Sequence, residues 1–308
     1  MSTPDDVSYV SVQPATAPSW VRDAVVAGGG VLSEPGDARA VVWADARDPQ
    51  GLGRLLGENP GIEWVQVPFA GVENFVPIVD GTRTWTCGKG VYAEPVAEHA
   101  LGLALAGMRS IGGYSRRDKW SGPSGRNLLG ARVTILGGGG ITESLLRLLR
   151  PWACHVTVVR RNVQEMEGAD DVVGTANLVD ALAGADLVIL ALSLTPETRG
   201  IIGRPELEVM EKHAWIVNVA RGGHIVTDDL VRALENGDIG GAALDVTDPE
   251  PLPEGHPLWS LPNCIITPHV GNTPEMAVPL LGERIRENVS RWVSGRPLIG
   301  LIDPHAGY

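Results

Sequence analysis

A short β-branched run, Arg132 to Leu136, is followed by four glycines, Gly137 to Gly140, and a helical pattern begins at once with Ile141. A strand that stops at a tight turn and feeds a helix N-terminus is the signature of an α/β fold built on a parallel sheet. Such a turn lets backbone N–H groups approach an anion with no Cβ in the way, and the helix dipole favours negative charge there. The spacing Gly137-x-Gly139-x-x-Thr142 fits the dinucleotide fingerprint at its first two positions. Thr142 stands where a third glycine would allow close packing of helix on strand, so a slightly displaced helix is expected. A glycine-rich turn that binds nothing is the competing reading.

The next apolar run, His155 to Val159, ends in Arg160-Arg161-Asn162. It lies about twenty residues past the glycines, where a chain that binds NAD usually carries an acid for the ribose 2′-hydroxyl. Two guanidiniums stand there instead and can clamp a 2′-phosphate with charge-assisted bonds. The pattern points to NADP(H), with NAD(H) possible; solvated loop charges are the alternative.

The length of 308 residues allows one large or two medium domains. A formal net charge of −12, with no Lys/Arg block, argues against nucleic acid as a partner. Cys87, Cys154 and Cys264 are few, far apart and without metal-ligand spacing, so no metal is expected and reduced thiols in the cytoplasm are. Polar residues and an early Pro4 follow Met1, and no signal peptide is read there. The longest apolar stretch, Ala97 to Met108, is too short to span a bilayer and is broken by Glu98 and His99.

Periodicity predicts strands at 7–12, 40–44, 62–67 and 83–86, with helices at 20–27 and about 50–56 between them. Gly28-Gly29-Gly30 stops the first helix. Pro95 opens a helix from Val96 to Arg109 whose small residues allow close packing against another element. Residues 112–127 read as an exposed loop. A second α/β series follows, with strands at 132–136, 155–159, 187–192, 215–219, 241–245 and 264–267. A final helix spans 275–293, and the tail from Gly295 to Asp303 returns toward the first domain.

Three strand ends in the second half carry polar residues. Arg221 follows the strand ending near Asn218. Asp245 ends the next, with Glu250 in the proline-rich loop after it. His269 follows the strand 264–267. Ligands of doubly wound sheets bind outside the carboxyl ends of strands, so these segments could converge. Each residue singly has a structural reading: a capping arginine, an exposed glutamate, a core histidine. Together they are an imidazole for proton transfer, an acid to hold it and a guanidinium for a carboxylate.

Asn218-Val-Ala-Arg-Gly-Gly, Ala243-Leu-Asp-Val-Thr-Asp-Pro-Glu-Pro-Leu252 and Thr267-Pro-His-Val-Gly271 resemble the three signature segments of the D-isomer-specific 2-hydroxyacid dehydrogenases, and the chain is most similar to the glyoxylate/hydroxypyruvate reductases among them. The likeness extends to 186–198, to Val96-Ala-Glu-His99 and to the tail. It implies an α/β fold of two doubly wound parallel-sheet domains with a cleft between them. A Rossmann-type cofactor domain would span 96–274, and a flavodoxin-like substrate domain 1–95 and 275–308. It implies reduction of a small 2-keto acid to the 2-hydroxy acid, with His269 as general acid, Glu250 as its partner and Arg221 binding the substrate. Gly137, Gly138, Gly139, Gly140, Ile141, Arg160, Arg161, Leu192, Ser193 and Ala220 would hold the cofactor, and Asp245 its carboxamide. Ala70 and Gly71 would offer backbone N–H groups to the substrate carboxylate, with Trp43 nearby or simply in the core. Ser193 replaces a proline usual in the family. The helix from Val96 resembles a dimer-forming segment, implying a homodimer. Two other readings are carried: a dinucleotide-sensing protein related to corepressors, and a phosphite dehydrogenase. Glu250, where formate enzymes have glutamine, argues against formate.

Overall fold

The computed structural model describes residues 8–303. The chain divides into two units, one running up to Tyr92 and resuming at Thr273, the other spanning Ala93–Asn272.

In the first unit, β1 (Tyr9–Gln13), β2 (Val31–Leu32), β3 (Ala40–Trp43), β4 (Trp64–Gln66) and β5 (Thr84–Thr86) form a parallel sheet in the order β2-β1-β3-β4-β5. That is the flavodoxin-like doubly wound order. The helices α1 (Ser19–Ala27) and α2 (Pro49–Glu58) and a C-terminal helix (Pro274–Val293) accompany it. α1 ends at Gly28, and Gly29 takes a left-handed φ of 87°. A Cβ on Gly28 would lie 2.6 Å from the Arg286 carbonyl oxygen, so the glycine run also lets the C-terminal helix close on α1.

Four buried polar side chains join that helix to the sheet. Trp64 donates from Nε1 to Thr86 Oγ1 at 2.8 Å, and Thr86 donates to Gln66 Oε1 at 2.9 Å. Asn288, wholly buried, donates to Gln66 Oε1 and to the Ile299 carbonyl, and accepts from the Ile299 N–H, each at 2.9 Å. The tail is thereby fixed to the first unit, where Leu301 bridges Thr86 in antiparallel sense and Ile302 donates to the Trp85 carbonyl.

The second unit begins with α3 (Ala93–Met108) and α4 (Ile111–Ser115). Then follow β6 (Arg132–Leu136), α5 (Gly140–Leu149), β7 (His155–Val159), β8 (Asp171–Val173), α6 (Leu178–Leu182), β9 (Leu187–Leu190), α7 (Arg204–Val209), β10 (Trp215–Asn218), α8 (Thr227–Asn236), β11 (Gly241–Leu244) and β12 (Cys264–Ile266). The parallel sheet runs β12-β11-β10-β9-β6-β7-β8. The order reverses between β6 and β9, as in the dinucleotide-binding fold, with one further strand at the β12 edge. β9 and β11 are buried at every residue, the unbroken apolar pattern of a sheet covered on both faces. One face packs α3 and α5 through Ala97, Ala100, Leu145 and Leu149. The other packs Leu182, Leu207, Leu230 and Leu234. Gly107 is obligatory, because a Cβ there would run into the Trp215 ring.

The differences from the sequence reading are local. β2 and β8 were not anticipated; each is an edge strand of two or three residues without a full apolar face. The helical turn Ile111–Ser115 takes in residues 112–115 of the stretch read as loop. α3 starts at Ala93, so Pro95 sits within its first turn, where an absent N–H costs no helical bond. Val7, placed in the first strand, lies outside the described residues.

Replacing Asn288 by Ala strips Gln66 and both Ile299 backbone groups of a buried partner. Urea unfolding should show a loss of about 2–4 kcal/mol, and an unchanged midpoint would remove Asn288 from this role.

Candidate active site

At the switch point, Gly137 has φ 110°, and a Cβ on it would collide with the Ala191 carbonyl at the end of β9. Only glycine lets the two strand ends come this close. Thr142 is buried, and its hydroxyl donates to the Gly137 carbonyl at 2.9 Å, so the residue in the third fingerprint position closes the turn with a hydrogen bond. Gly139 precedes α5 with no side chain capping the helix, and nothing stands within 4 Å of where its Cβ would be. The first-turn amides of a helix have no acceptor within it, so Gly140 and Ile141 open an anion-binding terminus. Arg160 lies over this turn: a Cβ on Gly138 would be 2.7–2.9 Å from its Nε, Cδ and Cζ atoms. These features fit a pyrophosphate at the turn and a phosphate beside Arg160.

The loop after β9 borders the turn. Leu192 is half-buried and Ser193 exposed. Thr198 donates from its hydroxyl to the Ser193 carbonyl and accepts from the Thr195 N–H, both at 2.8 Å, which holds this loop without the family's proline. A bond from Thr195 above all, then one from the Glu197 backbone, with the charge of Arg161 a smaller contribution, holds the Glu197 carboxyl below its usual range.

Arg221 follows β10. The buried Asn218 side chain wraps its turn, donating to the Arg221 carbonyl at 2.9 Å and accepting from the Ala220 N–H at 3.0 Å. Gly222 then passes so close to the Thr247 carbonyl that no Cβ could fit. The Arg221 turn thus abuts the loop from β11 that carries Glu250.

His269, three residues past β12, has φ 55°, a left-handed conformation that costs a non-glycine residue about 1–3 kcal/mol. Its ring Nδ1 lies 2.6 Å from Glu250 Oε1, with half the side chain exposed. Asp245, the residue after β11, holds the turn. Its carbonyl accepts from the His269 N–H at 2.8 Å. Its carboxylate accepts from the backbone of Val270 and Gly271, each at 2.9 Å, and from Thr267 Oγ1 at 2.6 Å. His99 Nε2 is 3.2 Å away. Burial of Asp245, 3% exposed, would raise its pKa, but bonds from His99, Thr267, Val270 and Gly271 outweigh this and hold it at about 2.

In the first unit, Ala70 and Gly71 lie on the loop after β4, beside the exposed Phe69. A Cβ on Gly88 would touch the Pro68 carbonyl at 2.9 Å, so this loop is seated against the end of β5. Trp43 is 4% exposed in the first unit's core, its indole N–H donating to the Asp45 carbonyl. Sequence reading gave His99 and Thr267 no role, although both stand in segments that carry the resemblance, Val96-Ala-Glu-His99 and Thr267-Pro-His-Val-Gly271.

Residues 101–271 match the family model of the D-isomer specific 2-hydroxyacid dehydrogenase NAD binding domain. An uncharacterized protein of Corynebacterium melassecola is 40% identical over 82% of this chain and 85% of its own length. Glyoxylate/hydroxypyruvate reductase A of Serratia proteamaculans is 31% identical over 89% of this chain and 90% of its own length. The structure of a D-isomer specific 2-hydroxyacid dehydrogenase from Xanthobacter autotrophicus Py2 in complex with NADPH and MES superposes with a TM-score of 0.85, at 26% identity, covering 98% of this chain and all of that one.

Asp245 gives a pH signature. Its folded pKa of about 2 lies below the ordinary 3.8, so its contribution is present above about pH 4 and lost as the pH falls through 2. Between pH 4 and 2 wild-type stability should fall about 2 kcal/mol further than that of Asp245→Asn. Parallel curves in chemical unfolding would contradict this.

Proposed function

This chain belongs to the D-isomer specific 2-hydroxyacid dehydrogenase family, and on that premise we propose that it uses NADPH to reduce a small 2-keto acid of the glyoxylate or hydroxypyruvate kind to the 2-hydroxy acid, of D configuration where chiral. The observation that carries this is the 2.6 Å contact of His269 Nδ1 with Glu250 at the carboxyl edge of a dinucleotide-binding sheet. The name of the Serratia relative supports the substrate class, and the NADPH complex of the Xanthobacter protein supports the coenzyme.

Bound NADPH supplies the hydride for the keto carbon. Gly138, Gly139, Gly140 and Ile141 would offer main-chain N–H groups to its pyrophosphate, Arg160 and Arg161 would offer guanidiniums to its 2′-phosphate, and Leu192, Ser193 and Ala220 would line the cofactor. With Nδ1 engaged by Glu250, His269 has Nε2 free to hand a proton to the keto oxygen. Arg221 binds the substrate and stabilises charge developing on that oxygen. On the first unit, Ala70 and Gly71 offer backbone N–H groups to a carboxylate. Asp245 has four donors of this chain on its oxygens and anchors the His269 turn; only Oδ2, with a single donor, retains capacity for a carboxamide. A homodimer formed through α3 belongs to the same proposal.

Two steady-state measurements test it. His269→Ala should lose about 10²- to 10⁴-fold in kcat, and near-normal turnover would remove His269 from proton transfer. With glyoxylate and hydroxypyruvate, kcat/KM should be higher with NADPH than with NADH. Arg160→Ala should lower the NADPH value about ten- to a hundredfold, the worth of one charge-assisted bond, and spare the NADH value. Equal or better use of NADH by the wild type would overturn the assignment of the two arginines.

A further inference from the structure

His99 projects from α3, an element remote in sequence from the strand ends that carry the proposed chemistry. Its Nε2 lies 3.1 Å from Thr267 Oγ1 and 3.2 Å from Asp245 Oδ1. The proton inventory fixes the direction of these bonds. Asp245 is ionised and only accepts. Thr267 has one hydroxyl proton, committed to Asp245 at 2.6 Å. At both contacts, therefore, His99 donates from Nε2–H. Asp245 passes the constraint on, through Oδ1 to the Val270 N–H, through Oδ2 to the Gly271 N–H and through its carbonyl to the His269 N–H. α3 also packs directly on this turn: the position of a Cβ on Gly271 is 3.6 Å from both His99 Cδ2 and Val96 Cγ2.

We propose that His99 is a positioning residue, which pins Thr267 and Asp245 from α3 and through them holds His269 in its left-handed turn against Glu250. The inference rests on the reading of His269 as the proton donor. Among the described residues no hydrogen bond or ion pair joins His99 to Glu250 or His269, so its polar effect runs through the turn. A left-handed histidine gains nothing from local backbone preference and keeps its shape only where surrounding bonds over-determine it. Removing the Nε2–H donor leaves Thr267 and Asp245 one bond short and lets the turn relax.

The test compares His99→Ala with His99→Gln, whose side-chain amide can place an N–H donor near the Nε2 position. Three quantities are read in each: kcat with hydroxypyruvate and NADPH, the Kd of NADPH by fluorescence, and the His269 ring resonance, assigned by its loss in His269→Asn. His99→Ala should lower kcat about tenfold or more, the scale of a small misplacement of a reacting group. It should change the Kd of NADPH less than kcat and displace the His269 resonance, and His99→Gln should restore both kcat and resonance. An unmoved resonance in His99→Ala, or a glutamine variant no better than the alanine one, overturns the proposal. If His99→Ala does not fold, His99→Leu removes the same donor while keeping most of the side-chain volume and carries the same expectations. The resonance needs no turnover, so it decides the positioning role even if the wild type reduces no 2-keto acid, an outcome that would sink the function proposed above and not this inference.

Discussion

A charge taken out of water must be compensated by its neighbours, and in the second unit that charge is Asp245. The carboxylate is 3% exposed and is met by donors from four residues, two of them main-chain N–H groups of the turn that follows His269. Compensation of one buried charge and the shape of the proposed catalytic turn are therefore the same set of bonds. The left-handed His269, its 2.6 Å approach to Glu250 and the packing of α3 against Gly271 all lie on the turn that these bonds hold. Leaving such a charge short of partners costs far more than each bond contributes separately, so the arrangement is rigid.

The other half of the site depends on absence of side chains rather than on charge. Gly137 at Ala191, and Gly222 at Thr247, occupy places where a Cβ would collide with a carbonyl of a neighbouring strand end. These close approaches draw the loops after β6, β9, β10 and β11 together along one edge of the sheet. Where the fingerprint departs from glycine, at Thr142, a hydroxyl takes over by bonding the Gly137 carbonyl. The turn keeps its open N–H groups because no side chain caps α5.

A comparable polar device serves the first unit for stability. Asn288 and Gln66 are wholly buried, and each is bonded within a network that also includes Thr86 and Trp64. A fully satisfied buried network specifies a single docking of helix, sheet and tail, because any slip would leave several groups without partners. It explains how a chain that leaves this unit at Tyr92 returns to it at Thr273.

Long apolar strands and glycine turns were legible in the sequence because they depend on local requirements: β-branched runs for a covered parallel sheet, and glycine where backbone must approach backbone. Arg221, Glu250 and His269 stood out by their places after successive strands, and the resemblance to a known family gave them their roles. The edge strands Val31–Leu32 and Asp171–Val173 were not legible, being too short to show a period. Nor were the bonds of Asp245 with Thr267 and His99, since the partners stand 22 residues apart in one case and 168 separate His99 from Thr267. Sequence by itself determined which residue types were available at the ends of the strands. Tertiary structure decided which protons they share and that Trp43 belongs to a core, because such pairings are set by distances that only the folded sheet brings within hydrogen-bond reach.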